Sequence, residues 1–215
     1  ALRSGTPIPV DDLHKLDSIG WSPEGTVIAI GGFKHLWLFD VPTRNLGAPI
    51  DLGDSSETSV AWNPKGTVLA ISGSGALRLF DVPTRNLGAP IALGDSSVWS
   101  VAWNPKGTVI AIGSSDGALR LFDVAGRSIG DPIDVGGGVT SVAWNPEGTV
   151  VAIGSNDGAL RLFDVVRRSI GGPIDVGGGV TSVAWSPEGT VVAIGSSDGA
   201  LRLFDVVRRS IGGPI

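Results

Sequence analysis

The chain has 215 residues, 42% of them apolar and 17% charged, enough to bury a sizeable core in one domain or a small pair and too apolar for a disordered tail. A net charge of −5 tells against a protein that grips nucleic-acid phosphates, and no apolar run is long enough for a transmembrane helix, so neither nucleic acid nor membrane is expected as a partner. The absence of cysteine excludes disulfides, thiolate metal sites and a thiol nucleophile, and leaves the compartment undetermined.

Thirty-three glycines and 14 prolines among many β-branched residues predict short strands joined by many turns. Cys, Met, Tyr and Gln are all missing, which points to many copies of a small unit. Without a start Met, the chain is expected to be processed or to begin downstream of one, and its end on a block boundary at Ile215 suggests a longer parent array.

Residues 1–10 contain Arg3-Ser4-Gly5-Thr6-Pro7-Ile8, which resembles the terminal Arg209-Ser210-Ile211-Gly212-Gly213-Pro214-Ile215 with one residue deleted. From residue 11 the chain divides into five blocks of 41, at 11–51, 52–92, 93–133, 134–174 and 175–215. Trp21, Trp62, Trp103, Trp144 and Trp185 mark them, each followed by Asn/Ser-Pro-Lys/Glu-Gly-Thr-Val. The last two blocks differ only at Asn145/Ser186 and Asn156/Ser197, which reads as recent tandem amplification, with deliberate repetition as the other explanation.

Within block 134–174, period-2 alternation predicts a first strand over 139–144 and a turn at 145–148, where Pro146 sets φ and Gly148 closes. A nearly all-apolar second strand, buried on both faces, is predicted over 149–153, and Asp157-Gly158 makes the next tight turn. A third strand covers 159–164. A weaker fourth covers 171–176, where Pro173 confines it to a sheet edge. No segment reads as helix. Four antiparallel strands every 41 residues predict an all-β fold, a β-propeller of five four-stranded antiparallel blades.

The chain resembles the WD40-repeat family in its Phe-Asp ending of strand three (Phe39-Asp40, Phe80-Asp81, Phe122-Asp123, Phe163-Asp164, Phe204-Asp205), its Trp-Asn/Ser-Pro turn and its Ser-Asp-Gly turn. Phe stands where that family has Trp, and the Gly-His pair before strand one is missing. The family's Asp–His–Ser/Thr–Trp network is therefore not expected. Asp116, Asp157 and Asp198 are read as turn residues, with stability supplied by apolar packing between blades. The resemblance implies a non-catalytic scaffold that binds protein partners on the loop face around a central channel, with no cofactor.

Ring closure stays open on the sequence. Residues 1–10 add a sixth copy of the outer strand, so one terminal copy can complete the last blade and one is spare. Five blades close with about 72° each, against about 51° in a seven-bladed ring. The alternative is an open arc whose edges pair with another copy.

His14 and His35 are the only histidines, and neither accompanies a nucleophile elbow, a metal-spaced pair or a phosphate loop, so no catalytic or metal site is expected. Candidate binding residues lie where the repeat is broken. Trp99 replaces Thr58, Thr140 and Thr181 at the start of an innermost strand, near Glu57 and the loop acids Asp54 and Asp95. His35 and Trp37 fall in Phe33-Lys34-His35-Leu36-Trp37, with Trp37 in the place of Arg78, Arg120, Arg161 and Arg202. Packing between blades explains either tryptophan as well. Loop charges predict one acidic face (Asp54, Asp95, Asp116, Asp157, Asp198) and one basic face (Arg44, Arg85, Arg127, Arg167, Arg168, Arg208, Arg209, Lys65, Lys106). Two other functions remain open: a self-assembling or engineered repeat without a dedicated ligand, and a glycan-binding propeller, which needs repeated exposed aromatics.

Overall fold

The computed structural model describes residues 16–53 and 59–215. The extra outer-strand segment at 1–10, His14, Asp54 and Glu57 lie outside them. The described residues contain strands and turns and no helix, arranged as five antiparallel sheets, one per block, so the fold is a five-bladed array of propeller type.

The fourth blade shows how the block sequence produces its sheet. Val139–Trp144, Val150–Ser155 and Ala159–Asp164 pair in order, with Trp144 opposite Val151 and Val150 opposite Asp164. The turn between the first two strands is held by buried Asn145, whose side-chain oxygen accepts from the amides of Thr149 and Val150, each at 2.8 Å. Gly148 closes that turn at φ 70°. The second strand is buried along nearly its whole length, as its apolar run requires.

The outer strand differs from expectation. It begins two residues early and breaks into Ser169–Ile170 and Ile174–Asp175, both paired with the third strand. Pro173 lies in the gap, where its missing N–H prevents continuous pairing.

A second difference lies in the turn between strands two and three. In the second blade it is a two-residue loop, Ser74 and Gly75, both at positive φ. Blades three to five insert one more residue there, the aspartate position. The connection from the second to the third blade is correspondingly longer, so the 41-residue tryptophan spacing survives and conceals the shift.

Interblade packing supplies the core, as expected. Four clusters of buried side chains each straddle two consecutive blades; one joins Leu119 and Leu121 of the third blade to Val139, Val142 and Trp144 of the fourth. Strand packing passes from blade to blade in chain order, and no described strand of the first blade packs on the fifth as neighbours do elsewhere. The arc is open.

Candidate interaction surfaces

Each blade meets the next through its innermost strand, where one tryptophan contact recurs at every junction and two further contacts at some of them. The indole N–H of Trp62 donates to the carbonyl of Gly20, that of Trp103 to Ala61, that of Trp144 to Ala102 and that of Trp185 to Ala143, at 2.9 to 3.2 Å. Two residues earlier in the strand, the amides of Val60, Val142 and Val183 donate to the hydroxyls of Ser18, Ser100 and Ser141 in the preceding blade. A socket completes the contact. Gly113 and Gly154, one residue before the ends of their second strands, lie so close to Val139 and Val180 of the next blade that a Cβ would be 2.3 and 2.4 Å from a valine methyl.

The loop edge holding the turns between strands two and three carries the predicted aspartates, three of them paired with an arginine on the same edge. Asp116, Asp157 and Asp198 each form a two-pronged ion pair with the arginine four residues on, Arg120, Arg161 and Arg202. In the third and fifth blades the arginine also donates to the serine that ends strand two, Ser114 or Ser196, at 2.7 and 2.8 Å. The Arg120 hydrogen bond, seconded against partial burial by Ser114 and the Ala118 amide, holds the Asp116 carboxyl down at about 2. The Arg202 hydrogen bond, with those of Ser196 and the Ala200 amide, holds the Asp198 carboxyl well below the usual carboxylate range. An Asp–Arg–Ser group thus stands on this edge although the family's His-containing network is missing. The aspartates serve their turns too, accepting from the amides of Ala118, Ala159 and Ala200.

The opposite edge is compensated in the same way. Asp123, Asp164 and Asp205, the residues that close strand three, pair with Arg127, Arg167 and Arg208 and accept backbone amides of the following turn. Asp40 and Asp81 accept instead from Thr43 and Thr84. In blades three to five, six of these aspartates are thus paired with an arginine on their own edge.

The irregular residues separate on inspection. Trp99 sits at a β-bulge of Val98–Trp103, between the paired residues Val98 and Ser100, and remains 38% exposed. In the fourth blade the equivalent Thr140 is tied down, its one hydroxyl proton donated to the Val180 carbonyl at 2.6 Å with the Gly154 carbonyl also in reach at 3.0 Å. An indole ring has no such bond to make there. It lies instead against Gly138 of the next blade, where a Cβ would come 2.8 Å from its ring. Asp95 is exposed in the loop leading into the same strand. Trp37 is buried, 4% exposed, with its ring centroid 5.4 Å from that of His35, so this pair fills the place of the Asp–Arg group in the first blade. Trp99 and Asp95 belong to the third blade and His35 and Trp37 to the first, so the structure gathers these candidates in two places.

Among the described residues no cluster of His, Asp and Glu is placed to hold a metal. A family model described as "WD domain, G-beta repeat" matches residues 88–123, 133–164 and 168–205. Each match starts in or just before an outer strand and ends at Asp123 or Asp164 on the third strand, or at Asp205 in the last blade. No curated protein matches the chain.

Proposed function

The chain belongs to the WD40-repeat family, whose members generally act as non-catalytic scaffolds for protein–protein interaction, and on that premise we propose that it binds a protein partner on the loop edge where its inner strands begin. Trp99 carries the reading. It is a large aromatic side chain, 38% exposed, at a bulge where the second, fourth and fifth blocks have threonine, and an exposed tryptophan is a typical binding hot spot. Exposed Asp95 gives the patch a preference for a partner with basic residues around an apolar anchor. His35 is what the first blade contributes to this edge, while Trp37 supports it from within.

The glycan reading finds less support. Four of the five repeated tryptophans are held in interblade junctions by their indole N–H, which leaves no repeated stacking platform.

Trp99→Thr is the discriminating variant, because it installs the residue that blades four and five carry at this position. Immobilised wild-type chain and variant are compared for proteins captured from the source cells. The proposal expects a partner retained by the wild type and reduced at least tenfold by the variant. Identical capture by both would refute a role for Trp99.

A further inference from the structure

The open arc ends in two faces that differ from every interior blade face in exposure but not in residue type. At the leading end, Trp21 is 56% and Ile19 66% exposed, whereas Trp103 and Trp144 are 8% exposed and Val60, Val101, Val142 and Val183 are all buried. At the trailing end, Leu201 and Leu203 are 44% and 43% exposed, whereas Leu160 and Leu119 are fully buried. Ser182 and Ala184 are exposed where their counterparts Ser141 and Ala143 are half-covered by the following blade.

These two faces carry the complementary halves of one more junction. Counting by the repeat, Trp21 corresponds to the tryptophan whose indole N–H seeks a carbonyl in the preceding blade, and Ala184 offers the carbonyl that no following blade takes. Ile19 corresponds to Val183, whose amide donates to Ser141, and Ser182 is the serine left over at the other end. Leu16 corresponds to the valine that enters the glycine socket. Gly195 is that socket, and in the fifth blade only its own Ser182 and Thr181 hydroxyls approach it. Each end therefore presents, in the same register, the indole contact that all four interior junctions use, the serine contact that three use and the glycine socket of the last two.

We propose that the chain assembles head to tail, the first blade of one copy docking on the fifth blade of a second copy through Trp21, Ile19 and Leu16 against Ala184, Ser182, Gly195, Leu201 and Leu203. The contact is heterologous, so it propagates until a ring closes. It is independent of the Trp99 surface, which lies on the loop edge of the third blade.

The absence of native cysteine makes the test clean. In the interior copy of this contact, a Cβ at Gly20 would lie 3.7 Å from a Val60 methyl, and the equivalent pair across the ends is Ala184 and Ile19. Chains carrying Ile19→Cys or Ala184→Cys are purified separately, then oxidised alone and as an equimolar mixture. Light scattering after size exclusion follows the wild type, Leu203→Asp and Trp21→Arg. Because both substituted side chains are already exposed in the single chain, circular dichroism is expected to be unchanged. The proposal expects a wild-type mass that is a multiple of 21.9 kDa, a single-chain mass for both charged variants, and a disulfide-linked dimer only in the mixture. It is overturned by a wild-type mass of one chain across the accessible concentrations. It is equally overturned by an internal disulfide in an Ile19→Cys/Ala184→Cys double variant at monomer mass, which means closure within one chain. Assembly only after removal of residues 1–15 also overturns it, since that segment would then be the occupant.

Discussion

Gly154 and Gly195 provide a controlled experiment built into the chain. They occupy the same position of blocks that differ at two residues, and only Gly154 has a blade behind it. A methyl at Gly154 would fall 2.4 Å from a Val180 methyl, 3.1 Å from the Val180 Cβ and 3.2 Å from a Val183 methyl, all on a packed inner strand. Overpacking of this kind costs about 1–3 kcal/mol. Restricting the unfolded chain returns about 0.4–1 kcal/mol. Gly154→Ala is therefore expected to lose about 1.5 kcal/mol, a fall in Tm of about 3–6 °C for a chain of this size. At Gly195 the near atoms are the Ser182 and Thr181 hydroxyl oxygens, at 2.7 and 3.3 Å, the ends of side chains free to rotate. Gly195→Ala is expected to change stability by less than about 0.5 kcal/mol. Urea and thermal melts of both variants in the Leu203→Asp background read the single chain. Equal losses at the two positions, or none at Gly154, would refute the claim that the following blade dictates glycine here.

Trp144→Phe keeps the buried ring but removes the donor to the Ala102 carbonyl, and urea melts should show a loss of about 1 kcal/mol. Ser186→Asn should stabilise the fifth blade by about 0.5–1 kcal/mol, because the serine reaches the Thr190 and Val191 amides at 3.3 and 3.2 Å where Asn145 makes the same bonds at 2.8 Å; hydrogen exchange in that turn reports it. The Asp116 carboxyl is lowered on folding, from 3.8 to about 2, so its contribution is present above pH 4 and is lost as pH falls through 2. Arg120→Gln should return that carboxyl toward its ordinary value by carboxyl NMR. It should also cost about 1 kcal/mol at neutral pH after solvent screening, with the difference vanishing in strong acid.

Strand order and the two principal turns were legible in the sequence because they depend on local period and on Asn-Pro and Asp-Gly chemistry. The exposure of Trp21 was not. The residues that follow it, Ser-Pro-Glu-Gly-Thr-Val, are the ones that follow Trp185, and burial of the ring is decided by whether a preceding blade exists. The Asp–Arg–Ser group did leave a signal, since Ser114, Asp116 and Arg120 recur together as Ser155, Asp157, Arg161 and Ser196, Asp198, Arg202. Reading those aspartates and arginines as separate loop charges hid the pairing, because the turn folds the arginine of strand three back over the aspartate. The loop shift between blades two and three was masked by compensation within the constant 41-residue spacing.

Trp37 illustrates the remaining gap. A tryptophan in a position otherwise held by arginine is equally a surface anchor or a packing residue by sequence, and only the third strand's register, with Trp37 opposite Ile30, places it inside. Trp99 resolves the other way because a bulge residue has no strand partner to turn it inward.

The central claim, that one repeated junction builds the array and stands half-made at each end, is tested most directly by hydrogen exchange at the indole N–H of the five repeated tryptophans, followed by NMR. In the Leu203→Asp chain the account predicts slow exchange at Trp62, Trp103, Trp144 and Trp185 and fast exchange at Trp21, with Trp21 becoming slow in the assembled wild type. Slow exchange at Trp21 in the single chain, or fast exchange at Trp103 and Trp144, would contradict it.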